Sequence, residues 1–525
     1  MADPRAFHGW YGEPAAWVAV QLPGGPASTL GVVLCTPLGQ DGVVAYRGLR
    51  LLADELGRRG IATVRYDPPG RGDAAPSDDP DAVFEGARSA AAILREAGCS
   101  RIGFVGLSSA ALIASVAAGQ GDVVVLWSPP SSGRQWLRRA RSLATIMLGP
   151  DRVDDGVESL IGLELTEPQA AALAGVSLVA PDGSPALVVS RPNEPVPAGF
   201  AGATTVEVDD VAPFLDVSSA SSVLPVASIG LIADWLGAQA GDATTELRAP
   251  QLQAELELGP AVERIRWLGP DRLFAIETRP RPDRPDAPVL LLNSGAAEHR
   301  VGPGDFQVEL ARRLAADGVA TVRLDRRGTG ETGTVAPDAP DLIYAAEWIE
   351  DQENAIDALA VPADRLAVGG LCSGAWVAAQ PASRSRRLYL AIHPARYDLA
   401  PMAPGAFVDE VAPTVVTGGF RLWLQNRYRR WAPTWVRRLR ARRLGGTDAS
   451  AFLRVVASHS GRAVLVFSEV DHEIFQRVGG EELIAGMPNV ETVELPTIDH
   501  PLFARRTRQA MLAEVRGCVL ETFTA

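Results

Sequence analysis

ADELGRRGIATVRYDPPGRG (residues 53–72) and ARRLAADGVATVRLDRRGTG (residues 311–330) are two copies of one pattern. They are separated by 258 residues, and ten of their twenty positions are identical. Each copy predicts a helix that ends at a glycine, then a β-branched strand that ends in aspartate, and then a turn with the pattern Gly-x-Gly. A repeat of such long period indicates two structural units that share one plan.

The strand, tight turn and helix that follow also occur twice, as RIGFVGLSSAALIASVAA (101–118) and RLAVGGLCSGAWVAA (365–379). Further apolar strands alternate with helices in both halves, which predicts mostly parallel sheets with helices on both faces. We therefore expect an α/β fold in two units, residues 1–245 and 246–525. The second unit carries an insertion at about 395–460, where we expect a lid.

Size and composition restrict the class of protein. The chain has 525 residues, too many for one ordinary hydrophobic core. With 47% hydrophobic and 22% charged residues it is typical of a globular protein, and no apolar run approaches the ~20 residues that span a bilayer. All 50 basic residues are arginine, which excludes Schiff-base, Ser-Lys and Walker-type phosphate chemistry. The net charge of −13 argues against broad nucleic-acid binding.

The four cysteines, Cys35, Cys99, Cys372 and Cys518, form neither a disulfide framework nor a C-x-x-C metal spacing. They fit a reducing cytoplasm, and the N-terminal residues do not resemble a secretory signal. The sequence also lacks a Rossmann fingerprint and a phosphate loop. We therefore predict a cytoplasmic protein that uses no metal and no cofactor.

The two tight turns are candidate sites of chemistry. GLSSA (106–110) places Ser108, and GLCSG (370–374) places Cys372, between small residues where a strand turns into a helix. This is the pattern by which an α/β-hydrolase presents its nucleophile on a strained turn. The backbone N–H that follows the nucleophile then helps to bind an oxyanion.

A nucleophile of this kind also needs a base, and histidine is the usual one. The chain has six histidines, and none lies between residues 9 and 298. Where the second half has TIDHPLF (497–503), the first has VDDVAPF (208–214). We therefore predict that the first half is catalytically inactive.

The second half has the complete order of nucleophile, acid and histidine, because FSEVDHE (467–473) and IDHPL (498–502) follow the turn. We predict a triad of Cys372, Asp471 and His500, with Glu469 as a rival for the acid. His500 would accept the thiol proton or stabilise a thiolate, and Asp471 would orient the imidazole.

The oxyanion would bind between the N–H of Ser373 and an N–H near Ser294 and Gly295, in the loop after an apolar strand. His299 and Arg300 lie just beyond that loop in the string EHR. They are candidates for substrate binding, and a structural role of His299 in the loop is an equal alternative.

The strings NSGAAEHRVGP (293–303), D-x-x-G-x-G (325–330), GLCSGA, FSEVDHEIF and IDHPLF resemble the serine aminopeptidase-like branch of the α/β-hydrolases. Within it they are similar to a group in which cysteine replaces the elbow serine. That group includes tandem proteins and hydrolases associated with surface-polymer and natural-product gene sets. The resemblance covers nearly all of 262–525 and, more faintly, 25–240. It implies the fold and the reaction class but not the substrate, and dienelactone hydrolases also use cysteine at this point.

Acyl transfer to Cys372 would leave a thioester, which reacts with amines and thiols more readily than an oxygen ester does. We therefore predict a (thio)esterase-type hydrolase or an acyltransferase or cyclase that acts on an ester or thioester, either small or carrier-bound. The alternative is a non-catalytic binding or scaffold protein built from two hydrolase-like folds.

The predicted lid contains FRLWLQNRYRRWAPTWVRRLRARRL (420–444), with nine arginines, three tryptophans and no acidic residue. Its arginine stems would cover apolar surface in ordinary lid helices. The alternatives are a docking face for an acidic carrier protein or a phosphopantetheine or CoA phosphate, and an anionic membrane surface.

Overall fold

A computed structural model describes residues 4–380, 385–407, 449–497 and 499–524. Two large sheets, one in each half of the chain, organise the structure. The strands of the first half are β1 (Arg5–Tyr11), β2 (Ala16–Leu22), β3 (Ala27–Ser28), β4 (Leu30–Cys35), β5 (Ala62–Asp67), β6 (Arg101–Leu107), β7 (Val123–Trp127), β8 (Val153–Asp154), β9 (Val157–Leu160), β10 (Leu163–Thr166), β11 (Ala186–Ser190), β12 (Thr204–Glu207) and β13 (Thr244–Thr245). Those of the second half are β14 (Glu255–Glu257), β15 (Ala261–Leu268), β16 (Leu273–Pro280), β17 (Val289–Asn293), β18 (Ala320–Leu324), β19 (Leu366–Leu371), β20 (Arg386–Ile392), β21 (Ser460–Ser468) and β22 (Val490–Leu495).

The two sheets have matching topologies. The first has eight strands in the order β1-β2-β5-β4-β6-β7-β11-β12, and the second has nine in the order β14-β15-β16-β18-β17-β19-β20-β21-β22. Without the extra edge strand β14, the second order repeats the first strand for strand. In both sheets the opening strands pair antiparallel and the rest are parallel. The prediction of two mostly parallel α/β sheets is confirmed.

Helices cover both sheets. In the first half they are α1 (Gln40–Arg58), α2 (Ala82–Ala97), α3 (Ala110–Ala117), α4 (Gly133–Leu148), α5 (Glu167–Gly175), α6 (Ala212–Leu215) and α7 (Val226–Ala240). In the second half they are α8 (Phe306–Ala316), α9 (Ala346–Leu359), α10 (Ser373–Ala379), α11 (Ser450–His459), α12 (Glu469–Arg477), α13 (Gly480–Ile484) and α14 (Arg505–Thr524), with short 3-10 turns at Pro303–Asp305 and Ala363–Arg365.

The inner strands are continuous apolar runs because a parallel strand is buried on both faces. Every residue of β4, β17 and β19 is buried. Alternate residues of a strand enter different apolar clusters, as Val32 and Val33 do in the first half and Leu290 and Leu291 do in the second. Each sheet therefore lies between two hydrophobic layers.

The two halves share a further apolar cluster. Trp10, Trp17 and Tyr46 of the first half pack there with Phe274 and Ile276 of the second. The halves therefore meet through buried side chains, in addition to the chain that connects them.

The predicted domain boundary at 245/246 falls between two strands. β13 pairs with β3 of the first half, whereas β14 pairs with β15 of the second sheet. The boundary thus lies in a stretch that joins neither large sheet, and the division into domains stays a prediction.

Most of the predicted lid at 395–460, including the arginine- and tryptophan-rich segment 420–444, lies outside the described residues. Its last part includes α11, whose Phe452, Leu453 and Val456 are fully buried in the core of the second half. This helix packs on the sheet, and the extent of the lid stays a prediction. In the described parts of the chain, no helix combines the length and the apolar character that crossing a membrane requires.

Candidate active site

Cys372 occupies a sharp turn between β19 and α10. Its backbone has φ 53° and ψ −113°, a left-handed conformation that is strained for a residue with a side chain. Gly370 and Gly374 make the turn possible: a Cβ on either would lie 2.7 or 2.4 Å from the carbonyl oxygen of Asn293. The two glycines therefore let strand and helix close around Cys372, which is only partly buried. Together with the strand order, this elbow defines an α/β-hydrolase fold.

His500 and Asp471 meet at the same edge of the sheet. Nδ1 of His500 lies 2.9 Å from both carboxylate oxygens of Asp471. Ser468 ends β21 and donates a hydrogen bond of 2.5 Å to Asp471, while the N–H of Asp471 donates back to its hydroxyl. Asp471 is thus fixed at the start of α12 with one side turned to the imidazole.

The electrostatics of this pair follow from burial and proximity. Burial alone would raise the pKa of Asp471, but the charge and hydrogen bond of His500 lower that pKa to about 2. Burial alone would lower the pKa of His500, but Asp471 and the neighbouring Cys372 raise that pKa well above 6.5. His500 is therefore hydrogen-bonded to Asp471 and lies in the electrostatic field of Cys372, and the role of the three residues as a catalytic triad stays a prediction.

Two further side chains lie near the thiol. Burial and the neighbouring Cys372 raise the pKa of Tyr344 well above 10.0. Arg326 is fully buried, its guanidinium 3.7 Å from the ring of Trp348. Burial lowers the pKa of Arg326 to about 10, so it remains a cation at neutral pH. Arg326 donates to the carbonyl oxygen of Ser294 at 2.6 Å.

The segment 294–300, called here the 294–300 loop, passes close to the elbow. A Cβ on Gly295 would lie 3.5 Å from Cβ of Cys372. Ser294 is buried, and its hydroxyl donates to the carbonyl oxygen of His299 at 2.8 Å. Ser373 is buried at the start of α10, next to the thiol. The predicted oxyanion-binding residues therefore surround Cys372.

The structure does not place His299 and Arg300 as substrate-binding residues. Arg300 is completely buried and forms ion pairs with Asp73 of the first half at 2.8 Å and with Asp325 at 2.7 Å. The ring of His299 lies 4.2 Å from the ring of Tyr46. Arg300 is therefore already neutralised by two carboxylates, and the structural alternative for His299 fits its contacts.

His393 was missed as a site residue. It follows β20 with φ 47°, and its Nδ1 lies 2.8 Å from the carbonyl oxygen of His500. Burial and the neighbouring His500 lower the pKa of His393 to about 4, so it is neutral at pH 7. Because it ends the strand next to β19, its place in the sheet was the available signal.

Three side chains at this site carry atoms that could bind a metal ion. Ligand atoms of His393, Asp471 and His500 lie within 4.8 Å of one another. The hydrogen bonds of the triad already use these atoms: Asp471 contacts Nδ1 of His500, and Nδ1 of His393 contacts the backbone of His500. The cluster is therefore accounted for by the triad.

The first half keeps the elbow without the base. Ser108 has φ 52°, and its hydroxyl donates to Asp41 at 2.9 Å. Arg191 directly follows β11 and forms an ion pair with Asp216. Ser108 thus lies beside a buried carboxyl group and lacks the histidine relay that surrounds Cys372.

The chain matches no protein-family model and no curated protein. Among solved structures, an α/β serine hydrolase without a lid from Xanthomonas campestris has a TM-score of 0.29 at 16% identity and covers 46% of this chain and 98% of its own. Est1E from Butyrivibrio proteoclasticus, solved with ferulic acid, has a TM-score of 0.31 at 15% identity and covers 43% of this chain and 95% of its own. A thermostable esterase from Pseudomonas putida has a TM-score of 0.32 at 18% identity and covers 52% of this chain and 85% of its own. These neighbours are hydrolases, and each covers about half of this chain.

Proposed function

We propose that the protein is an acyl-transfer enzyme in which Cys372 is the nucleophile. The Cys372 sulfur bonds to the carbonyl carbon of an ester or thioester, and the bond from that carbon to the leaving oxygen or sulfur breaks. His500 accepts the thiol proton and donates it to the leaving group. Water, an amine or an alcohol then attacks the S-acyl enzyme, loses its proton to His500 and releases the thiol.

The arrangement of Cys372, His500 and Asp471 supports this proposal most strongly. The thiol lies on a strained turn, His500 interacts electrostatically with it, and a carboxylate contacts Nδ1 of the imidazole. A scaffold protein needs none of these three features, whereas a nucleophile needs all of them.

The other three cysteines are buried, whereas Cys372 is partly exposed. Burial raises the pKa of Cys99 to about 11 and those of Cys35 and Cys518 to about 12, so these thiols stay protonated and unreactive at neutral pH. Cys372 alone among the four is partly exposed.

The molecule that accepts the acyl group from Cys372 distinguishes a hydrolase from a transferase or cyclase. Hydrolysis of an ester or thioester uses water, whereas transfer or cyclisation uses an amine or alcohol and requires that water be excluded. A small or carrier-bound acyl group would suit either version. An acidic carrier protein at segment 420–444 and a cytoplasmic location remain predictions.

The deciding experiment is intact-protein mass spectrometry after incubation with short acyl thioesters and activated esters. The native protein and Cys99→Ala should gain one acyl mass, and Cys372→Ala should gain none. Cys99→Ala is the matched control because it removes a buried thiol of the first half. A native protein that neither gains acyl mass nor releases product would favour the scaffold alternative, and an undiminished Cys372→Ala would exclude the cysteine mechanism.

Adding amines, alcohols or only buffer to the isolated S-acyl enzyme then distinguishes the versions. Faster loss of the acyl mass with an amine, accompanied by an amide product, identifies a transferase. Loss at the same rate in buffer alone identifies a hydrolase.

A further inference from the structure

Three consecutive residues of the 294–300 loop contact the first half of the chain. The carboxylate oxygen Oε1 of Glu298 accepts hydrogen bonds of 3.0 Å from Nε2 of Gln40 and from the hydroxyl of Ser219. His299 and Arg300 follow it, and their partners in the first half are Tyr46 and Asp73 as described above. A loop that passes close to Cys372 is therefore contacted by residues of the first half of the chain.

Glu298 also lies in the electrostatic field of the triad. Its side chain is almost completely buried, and burial raises the pKa of Glu298. The hydrogen bonds from Gln40 and Ser219 oppose that rise, and so does the charge of His500. Without these two neutral donors, the buried carboxyl group would lose both hydrogen-bond partners, which is unfavourable. The two hydrogen bonds to Glu298, called here the tether, therefore oppose displacement of the loop.

The segment that supplies Ser219 approaches Cys372 from a second direction. Ala220, the next residue, packs against the apolar cluster that contains Tyr344 and Trp376. Tyr344 is the residue whose pKa is raised by burial and by the neighbouring thiol. One short stretch of the first half thus touches both the loop and the wall of the site.

The loop that carries His500 is held in the same way. Arg505 donates to Glu164 of the first half at 2.6 Å, and Arg508 pairs with the same carboxylate. Arg508 also donates to the carbonyl oxygen of Leu502 at 2.9 Å, two residues beyond His500. The first half therefore contacts both loops that flank the nucleophile.

We propose that Gln40 and Ser219 are positioning residues for the reaction at Cys372, acting through Glu298 on the backbone N–H groups of the 294–300 loop. This inference rests on the acyl-transfer function proposed above. Oxyanion donors stabilise a transition state only when they lie about 2.7–3.1 Å from the developing charge. A shift of about 1 Å in such a group can cost about 10²-fold in rate. The first half, which lacks a base of its own, thereby becomes a working part of the site.

The first test compares Gln40→Ala/Ser219→Ala with Ser132→Ala/Gln135→Ala. The control makes the same two substitutions in the same half, at a serine and a glutamine that bond to backbone groups at the start of α4. At the pH optimum of each variant, we expect the first pair to lower kcat about 10- to 100-fold with KM changed less than about 3-fold. The control should stay within about 2-fold of the native protein. Equal kcat in both variants would overturn the proposal.

The second test uses Glu298 itself. A carboxamide oxygen accepts the same two hydrogen bonds, so Glu298→Gln should retain kcat within about 3-fold. Glu298→Ala removes the acceptor and should lose as much as Gln40→Ala/Ser219→Ala. If Glu298→Gln falls as far as Glu298→Ala, the negative charge is what matters, and the positioning role is wrong.

A third measurement does not depend on catalysis. Hydrogen exchange of peptides that cover residues 294–302 should be at least about 10-fold faster in Gln40→Ala/Ser219→Ala and unchanged in the control. If the native protein neither forms an acyl adduct nor releases product, the proposed function fails, while the exchange result still decides whether Gln40 and Ser219 hold the loop. Unchanged exchange in the double variant would overturn the tether even in an active enzyme.

Discussion

Arg65 of the first half and Glu331 of the second form a two-point ion pair, with nitrogen-to-oxygen distances of 2.7 and 2.9 Å. Both side chains are buried, and Tyr46 and His8 of the first half also bond to Glu331. Burial would raise the pKa of Glu331, but Arg65 and His8 hold it well below 4.5. The halves are therefore joined by a charged network as well as by apolar contacts.

Removing one partner of this pair should weaken the whole protein. Arg65→Met leaves a buried carboxylate without its bidentate partner, and we expect the free energy of unfolding to fall by about 3–5 kcal/mol. Urea unfolding at pH 7 measures the change. Arg88→Met is the control, because Arg88 and Glu85 form an exposed pair that contributes at most about 1 kcal/mol. Equal effects of both substitutions would contradict a special role for the junction.

The sequence was sufficient for features that depend on local pattern. Apolar runs and the repeat predicted both sheets, and the glycines around residue 372 predicted the turn whose geometry needs them. The order along the chain also predicted Asp471 and His500 as a pair, and their side chains are hydrogen-bonded in the structure. Such features can be predicted from the sequence alone because each depends on neighbouring residues or on the order of strands.

The contacts between the halves have no such signal. Gln40 and Glu298 are 258 positions apart, and nothing in either neighbourhood marks them as partners. Arg300 looked like a substrate ligand because it follows the loop closely, yet Asp73 neutralises it from the other half. His393 was passed over because it has no motif, although it ends the strand beside the elbow.

Asp471→Asn should uncouple the imidazole from its acid. Without the carboxylate, burial dominates, and the pKa of His500 should fall from well above 6.5 toward or below that value. Acyl-adduct formation should slow by about 10²–10⁴-fold, because the tautomer and the imidazolium lose their support. Histidine NMR titration follows the pKa, with His500→Gln used to assign the signal. An unchanged titration would show that Asp471 is not the partner, and Glu469→Gln would then be examined.

Two buried histidines should make the protein sensitive to acid. Burial lowers the pKa values of His299 and His393 to about 4, whereas an unfolded histidine titrates near 6.5. Below pH 6.5 the unfolded chain binds protons that the folded protein does not, so stability falls as the pH drops toward 4. The raised pKa of His500 acts in the opposite sense, since its contribution is complete below 6.5 and is lost at higher pH.

Each of these two histidines should therefore lower the free energy of unfolding by about 2 kcal/mol between pH 7 and pH 5. Urea unfolding of His299→Gln and His393→Gln at both pH values tests this, because glutamine does not titrate. The difference between the two pH values should shrink by about that amount in each variant. Ser132→Ala, at the start of α4, changes no titratable group; it serves as the control and should leave the difference unchanged.

Tyr344→Phe should separate reactivity from packing at the nucleophile. The ring keeps its edge contact with Trp376, at 5.3 Å between centroids, so the free energy of unfolding should change by less than about 1.5 kcal/mol. The lost hydroxyl lies in the electrostatic field of Cys372, and a neutral hydrogen bond contributes about 0.5–1.5 kcal/mol, so we expect acyl-adduct formation to slow by up to about 10-fold. Stopped-flow release of the leaving group from an activated ester measures the rate. Tyr66→Phe is the matched control, because Tyr66 interacts with the buried Cys35 thiol of the first half, and it should leave the rate unchanged. A Tyr344→Phe enzyme as fast as Tyr66→Phe would mean that the hydroxyl only fills space beside the thiol.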